Sequence, residues 1–487
     1  MPLILPARTL DSSYDIDNSL RFEDGGSPYL THTRGTATNE KKFTFSTWVK
    51  LGNTGHGVNG TLFGSGDDGN GYVGDALIIQ TNGLVKQGDH DGSTDNHNVR
   101  TNALLRDPSA WYHIVCAADS TQGTASNRIK LYINGTQQTS LAATTYPSQD
   151  ITFDCNTNGQ VLNIGRNQNG ENHVYFDGYM AETVFIDGQQ LTPSSFGETD
   201  DNGVWIPKDI SAEGLTFGNN GFYLQYQQTG TSADASGKGA DTSGEDTHFD
   251  DNNMTAEDIT TDTPSNNFAT LNPLANATVA GGTFSEGNVK FVTNQADYSF
   301  RPSTIGVSAG KWYCEIKAVS FGGGADPFMI GITSSQPTAN SHELGHFAND
   351  WGYKEDQKYR NNNSNTTWGN TFTSGDIIGI ALDLTNSKLY FSKNGTWQNS
   401  GDPTSGSTGT GAISITAVGS TPLENYFFAI GDYDNSSGST STFQANFGNP
   451  PFTISSGNAD ANGFGNFEYA VPSGYYALCT ENLNTYG

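Results

Sequence analysis

At 487 residues the chain exceeds one ordinary core of roughly 100 to 200 residues, so two or three domains are expected. Hydrophobic residues make up only 34%, while aromatics reach 11% and glycine fills 59 positions, a mixture that suits short strands joined by turns and speaks against a helical protein. Lys and Arg total 23 against 51 Asp and Glu, a formal charge of −28 that repels phosphate backbones and anionic lipid, so neither nucleic acid nor a membrane surface is an expected partner. No window approaches the about 18 consecutive apolar residues of a membrane span. The opening Met1-Pro2-Leu3-Ile4-Leu5-Pro6-Ala7-Arg8 has too short an apolar run for a secretory signal, so synthesis in a cytoplasm is expected. Cys116, Cys155, Cys314 and Cys479 lie far apart, which argues against a disulfide scaffold or zinc knuckle, and Cys116 and Cys314 fall within strand-like runs as small core residues.

Residues 1–17 read as a polar arm. Ser19-Leu20-Arg21-Phe22 and Tyr29-Leu30-Thr31 form short strands around Glu23-Asp24-Gly25-Gly26. From Phe43 to Lys50 the chain alternates strictly, with Phe43, Phe45 and Val49 on one face and Thr44, Ser46 and Trp48 on the other. Further strands are expected at Thr61 to Phe63, Ala76 to Gln80, Trp111 to Ala117, Arg128 to Ile133, Val161 to Ile164 and Tyr179 to Ile186. Lys130-Leu131-Tyr132-Ile133-Asn134-Gly135 stops at Asn-Gly, the dipeptide that most readily supplies the positive φ angles of a tight hairpin. The phrase returns as Lys388-Leu389-Tyr390-Phe391-Ser392-Lys393-Asn394-Gly395, late in a second all-β pattern.

Leu20-Arg21-Phe22, Phe45-Ser46-Thr47-Trp48-Val49, Trp111-Tyr112-His113-Ile114, the first Asn-Gly hairpin, Leu162-Asn163-Ile164-Gly165 and Phe176-Asp177-Gly178-Tyr179-Met180-Ala181-Glu182 together resemble a laminin-G-like, concanavalin A-type jelly roll, assigned to residues 18–195. In residues 196–273, Trp205, Phe217, Phe222, Tyr223 and Tyr226 suggest added strands on that sandwich. Thr229 to Asp251 is rich in Gly, Ser, Thr and Asp, and is expected to be an exposed loop or linker. In residues 274–487, Lys311-Trp312-Tyr313-Cys314-Glu315-Ile316, Phe328-Met329-Ile330-Gly331-Ile332, the run from Gly375 to Leu384, the second hairpin, Tyr426-Phe427-Phe428-Ala429-Ile430 and Asn446-Phe447-Gly448 resemble a SPRY domain, with Pro472-Ser473-Gly474-Tyr475-Tyr476 at its usual end. The expected fold class is all-β: tandem β-sandwiches, a concanavalin A-like jelly roll and then a SPRY-like sandwich.

His342-Glu343-Leu344-Gly345-His346 matches the H-E-x-x-H zinc-protease signature, which needs both histidines on one helical face. Pro337 just before it and Asn349-Asp350-Trp351-Gly352 just after leave no room for that helix, and Gly352 stands where a metzincin would place its third histidine, so a loop is expected. No nucleophile elbow, P-loop, dinucleotide fingerprint or strand-borne carboxylate pair appears, and no enzymatic activity is expected. Two sets of side chains remain. Asp67-Asp68-Gly69 sits on an inter-strand loop, and the resemblance to laminin-G-like domains implies a rim calcium site from Glu23, Asp24, Asp177 and Glu182, calcium wanting six to eight oxygens. Aromatic and imidazole side chains in polar loops are candidate ligand contacts: Tyr72, His90 and His97 in the first domain, and Trp351, Tyr353, Tyr359, Trp368 and Trp397 in the second.

Tandem laminin-G-like and SPRY-like sandwiches on an acidic, glycine-rich chain resemble structural proteins of tailed phages, marine ones in particular. The resemblance implies a virion adhesin, a tail fibre, spike or capsid-attached decoration, located on the virion surface after synthesis in the host cytoplasm. Its partners would be other virion proteins and a host-surface glycan or protein, and a homo-oligomer, a trimer being one form, is expected. The alternatives are a non-viral SPRY scaffold that reads a peptide and, more distantly, a glycan- or peptide-cleaving hydrolase.

Overall fold

The computed structural model describes residues 14–23, 25–66, 74–90, 95–167, 174–275, 282–293, 299–322, 326–335, 342–433 and 440–487. They form two compact β units that meet in sequence between Asn266 and Asn267. No helix of the described residues is long and apolar enough to cross a membrane.

The first unit holds, among the described residues, two eight-stranded antiparallel sheets. In the first sheet Thr136–Gln137, Ile129–Ile133, Trp111–Asp119, Lys42–Leu51, Gly178–Asp187, Ser19–Phe22 and Ile259–Thr260 lie side by side, and Phe222–Leu224 also pairs with Gly178–Asp187. In the second the order is Leu141–Thr145, Asp95–Leu104, Leu84–His90, Ala76–Ile79, Gly60–Ser65, Val161–Ile164, Tyr29–Thr33 and Asp250–Asn252. The period-2 pattern of Lys42–Leu51 decides what faces inward: Phe43, Phe45, Val49 and Leu51 join the core between the sheets, while Ser46 and Trp48 point to the outer face. That outer face is covered by a second apolar layer in which Val115, Tyr132, Val184 and Ile186 of the sheet meet Phe196 and Ile210 of the following segment.

Residues 229–251, expected to be an exposed loop or linker, are built into this unit. Asp241 is the reason, because its carboxylate accepts the backbone N–H groups of Tyr223 (2.8 Å), Ser243 (2.9 Å) and Thr247 (3.0 Å) and ties the polar segment onto a strand. Phe249 then fills the sandwich core, and Lys238 is buried against Asp251 at 2.7 Å. A glycine-rich composition signals low apolar content, but it does not register a carboxylate that replaces apolar burial with hydrogen bonds.

The second unit pairs, among the described residues, a nine-stranded with a six-stranded sheet. Lys311–Ser320 and Ile377–Asp383 are central in the larger one, with Lys388–Lys393 and Thr396–Trp397 beyond them, and Asp326–Thr333, Asp350–Lys354, Lys358–Asn361 and Ser364–Thr367 follow one another in the smaller. Trp312, Ile316, Ile330, Ile380, Phe391 and Phe428 fill the core between them. Again the outer face of the larger sheet is covered, here by Phe467, Tyr475, Ala477 and Cys479 of the C-terminal segment against Tyr313, Ala381 and Tyr390. All four cysteines are buried, and none forms a disulfide.

Candidate binding site

The outer face of the second sheet of the first unit carries polar and half-buried side chains. Leu30, Leu162 and Ile164 turn inward, so by strand alternation Tyr29 and Asn163 turn outward on adjacent strands. A short hairpin, Arg166–Asn167 with Val174–Tyr175, lies against this face next to Gly60–Ser65, and a β-carbon on Gly64 would run into Asn167. The hairpin places the Arg166 guanidinium 3.6 Å from the Tyr29 ring centroid, with Nη2 donating to Asn163 Oδ1 at 3.2 Å. Tyr175 closes the group, its ring 6.4 Å from that of Tyr29. Farther along the same face Arg100 Nη1 donates to Gln80 Oε1 at 3.2 Å and Lys86 pairs with Asp95 at 3.3 Å. Flat rings, a planar five-donor cation and amides on one sheet face match the hydroxyl and ring faces of a sugar, or a polar peptide. Sequence reasoning missed this group; its only signal was Tyr29 at an outward position two residues before Thr31.

The residues expected to bind fall elsewhere. Trp351 and Tyr353 are core side chains, not loop side chains open to a ligand: inward register on Asp350–Lys354 buries them, Trp351 against Tyr426 and Tyr353 against Phe372 and Phe391. Tyr359 and Trp368 are half-buried and complete one aromatic cluster with Tyr353, the Trp368 ring lying 5.4 Å from Tyr353 and 6.4 Å from Tyr359. Trp397 is apart from them, packed at 6.5 Å from both Tyr313 and Tyr390 beside the outer layer of the larger sheet. His97 is likewise a core residue, 1% exposed, its Nε2 3.3 Å from Asp75, because it shares the inward row of Asp95–Leu104 with Val99. Tyr72, Asp24, Asp67 and Asp68 lie outside the described residues, as does the side chain of His90.

The described carboxylates of the expected calcium set, Glu23, Asp177 and Glu182, each take hydrogen bonds from protein groups. Glu23 Oε1 accepts the Gly25 N–H at 3.0 Å, and Asp177 anchors the Gly52–Thr54 turn, its N–H donating to Thr54 Oγ1 at 3.0 Å. Glu182 sits at a β-bulge between Ala181 and Val184 with φ 49°, and its carboxylate accepts from the hydroxyls of Tyr223 and, at 3.2 Å, Tyr14. Burial pushes its pKa up to about 7. Among the described residues no three His, Cys, Asp or Glu side chains gather to hold a metal.

Two arrangements look catalytic and are not. Ser46 Oγ lies 2.8 Å from His113 Nε2, at a small cavity also lined by Trp48, Glu182 and Lys208. Trp205 Nε1 can only donate, and it donates to His113 Nδ1 at 3.0 Å, so the imidazole proton sits on Nε2 and that nitrogen cannot take a proton from Ser46. His113 is buried between the rings of Trp48 and Trp205, and burial pulls its pKa down to about 3. In the H-E-L-G-H segment there is no helix: the His342 and His346 rings stack at 3.8 Å, Leu344 is buried, and Glu343 is taken up by Arg360.

Residues 24–195 match the model of the concanavalin A-like lectin/glucanases superfamily, and residues 311–417 match the SPRY domain model. The chain thus carries a lectin-like sandwich followed by a SPRY domain, both domains of a kind that binds protein or carbohydrate. Ran-binding protein 9 of Danio rerio is 35% identical over 94 residues, 19% of this chain and 15% of that protein. Ran-binding protein 9 of Homo sapiens is 36% identical over 94 residues, 19% of this chain and 12% of that protein. The chain therefore spans less than a sixth of the length of these relatives. Among solved structures, the SPRY domain of human HERC1 aligns at 15% identity and TM-score 0.25, covering 32% of this chain and 86% of that one. A putative carbohydrate binding protein from Bacteroides ovatus aligns at 18% identity and TM-score 0.28, covering 37% of this chain and 46% of that one.

Proposed function

We propose that the protein is a non-catalytic adhesin of a tailed-phage virion, which holds a host-surface glycan on an outer sheet face of its lectin-like domain and uses its SPRY domain for protein contacts. The observation that carries the glycan reading is the Tyr29–Arg166–Tyr175 group, half-buried where the short hairpin meets the outer face of the second sheet. The virion setting draws on the tandem architecture and the acidic, glycine-rich composition. Individually weak contacts would be multiplied by copy number on a particle. A glycan array probed with the full chain, alongside Arg166→Ala and Tyr29→Ala, tests the site: a set of glycans retained by the parent and lost at least tenfold by both variants is expected. Equal retention by parent and variants would refute it. Labelled-particle micrographs test the setting, with decoration of tail or capsid expected.

A second reading, a SPRY interaction scaffold outside any virus, is favoured by the 35% and 36% identity to Ran-binding proteins over 94 residues. It predicts a peptide ligand that competes at the SPRY domain and is indifferent to Arg166→Ala.

A further inference from the structure

The first unit contains a lysine–carboxylate contact that glycan binding does not use. Lys50, on the outward row of the central strand Lys42–Leu51, places its Nζ 2.6 Å from Oδ2 of Asp262, 212 residues away, and both side chains are fully buried. Trp111 Nε1 donates to the other carboxylate oxygen, Oδ1, at 3.2 Å. Ser19 Oγ donates to the Asp262 main-chain carbonyl at 2.6 Å and fixes the residue from behind. The Tyr179 ring, its centroid 5.5 Å from Nζ, forms an aromatic wall.

In water an ammonium and a carboxylate do not condense, because hydration keeps both as ions and the ammonium nitrogen has no lone pair. Burial reverses the balance. The pair loses the hydration of two ions, and the dry site lowers the affinity of Lys50 for its proton. Passing that proton to the carboxylate leaves a neutral amine in contact with a neutral acid, at a separation where fixed geometry replaces collision. We propose that Lys50 and Asp262 condense to an intramolecular isopeptide bond, a covalent tie between the central strand and the closing segment of the first unit. The Nζ lone pair forms a bond to Cγ of Asp262 and the Cγ–Oδ2 bond breaks. Oδ2 leaves as water, carrying two protons that began on the ammonium, and one N–H stays on the amide. No oxidant or cofactor enters the balance. The Trp111 N–H remains on Oδ1, the oxygen that gathers negative charge as nitrogen adds, and the neutral product removes the cost of two buried ions.

Intact mass of the purified full chain, followed by peptide mapping under denaturing conditions, tests the proposal. The expected result is a mass one water below that of the sequence and a branched peptide joining the segments that contain Lys50 and Asp262, with the full mass restored in Lys50→Arg. Recovery of Lys50 and Asp262 in separate, unmodified linear peptides from the parent chain would overturn it, and so would a lost water that maps to any other residue. Because the parent chain alone decides, the proposal stays testable even if the variant fails to fold.

Discussion

The two Asn-Gly hairpins solve one problem with different chemistry. In both, the asparagine finishes a neighbouring strand: Asn134 N–H donates to the His113 carbonyl and Asn134 Oδ1 accepts the His113 N–H, each at 2.8 Å, and Asn394 does the same with Ile377, also at 2.8 Å. The glycine that follows lies in the left-handed region in both, φ 74° at Gly135 and 76° at Gly395, and an aromatic ring from the covering segment rests where a β-carbon would stand, Trp205 on Gly135 and Tyr469 on Gly395. What differs is how that ring is held. Trp205 is held by a neutral imidazole, through its hydrogen bond to His113. Tyr469 is held by a carboxylate: Glu315 Oε1 accepts the Tyr469 N–H at 2.8 Å and the Tyr313 hydroxyl at 3.0 Å, while Oε2 accepts the Glu468 N–H at 2.9 Å and Asn446 Nδ2 at 3.3 Å. One cover depends on a group that must stay uncharged, the other on the acceptor capacity of a single acid.

Removing that acid gives the largest expected effect. Glu315→Ala takes the acceptor from four donors at once, two of them buried and two half-buried, and leaving buried partners unsatisfied costs about 3 kcal/mol or more. Hydrogen exchange should speed up through the C-terminal cover and strand Lys388–Lys393, while strand Ile129–Ile133 keeps its protection. Glu315→Gln, which retains two acceptor lone pairs, should fall between the two. If Glu315→Ala left the cover as protected as before, the carboxylate would not be what holds it.

The hairpins themselves were legible in the sequence, because period-2 alternation ending in Asn-Gly is a local signal. The fold class followed from the same alternation. The covers were not legible: Trp205 meets Gly135 across 70 residues and Tyr469 meets Gly395 across 74, and no local pattern encodes such a contact. For the same reason the burial of Trp351 and Tyr353 was not legible. Trp351 and Tyr353 read as aromatics of a polar loop, yet both turn into the core, whereas Tyr29, Arg166 and Tyr175 converge from two segments more than 130 residues apart. Asp177 and Glu182 belong to the motif that resembles the jelly roll, but a β-bulge sends Glu182 to two tyrosines.

Acidification separates the two devices next. Burial raises Glu315 to about 7 from its ordinary 4.5, so between those values the folded second unit binds a proton that the unfolded chain does not. Its stability therefore falls as pH rises from about 4.5 to 7 and levels off above. Asp350, pushed up to about 6, acts in the same direction over a narrower window. In the first unit His113, held down at about 3 against an ordinary 6.5, has the opposite sign: the unfolded chain binds the extra proton, so stability is lost as pH falls below about 6.5. Glu182, also at about 7, opposes it. From pH 7 to 5 the protection of strand Lys388–Lys393 should rise, and that of Ile129–Ile133 should change little. Glu182→Gln removes the opposing group and should make the first strand lose protection on acidification; a rise there instead would show that His113 does not govern it.

The smallest expected effect separates the asparagines. Asn394 Nδ2 donates to Asp376 Oδ1 at 2.6 Å, and Lys393 Nζ pairs with Asp376 Oδ2 at 3.1 Å. Asn394→Asp keeps the acceptor for the Ile377 N–H but sets a second carboxylate against the first, with one half-buried lysine to offset it, and should cost about 1 kcal/mol at neutral pH. In Asn134→Asp the acceptor for the His113 N–H is also kept, and the change should fall within about 0.5 kcal/mol, as for an ordinary surface substitution. Salt sharpens the distinction, since screening relieves repulsion between partly exposed charges. Raising ionic strength should recover part of the loss in Asn394→Asp and leave Asn134→Asp unmoved. Equal losses in both would mean that each asparagine contributes only its shared backbone role, and that the carboxylate beside the second hairpin is incidental to it.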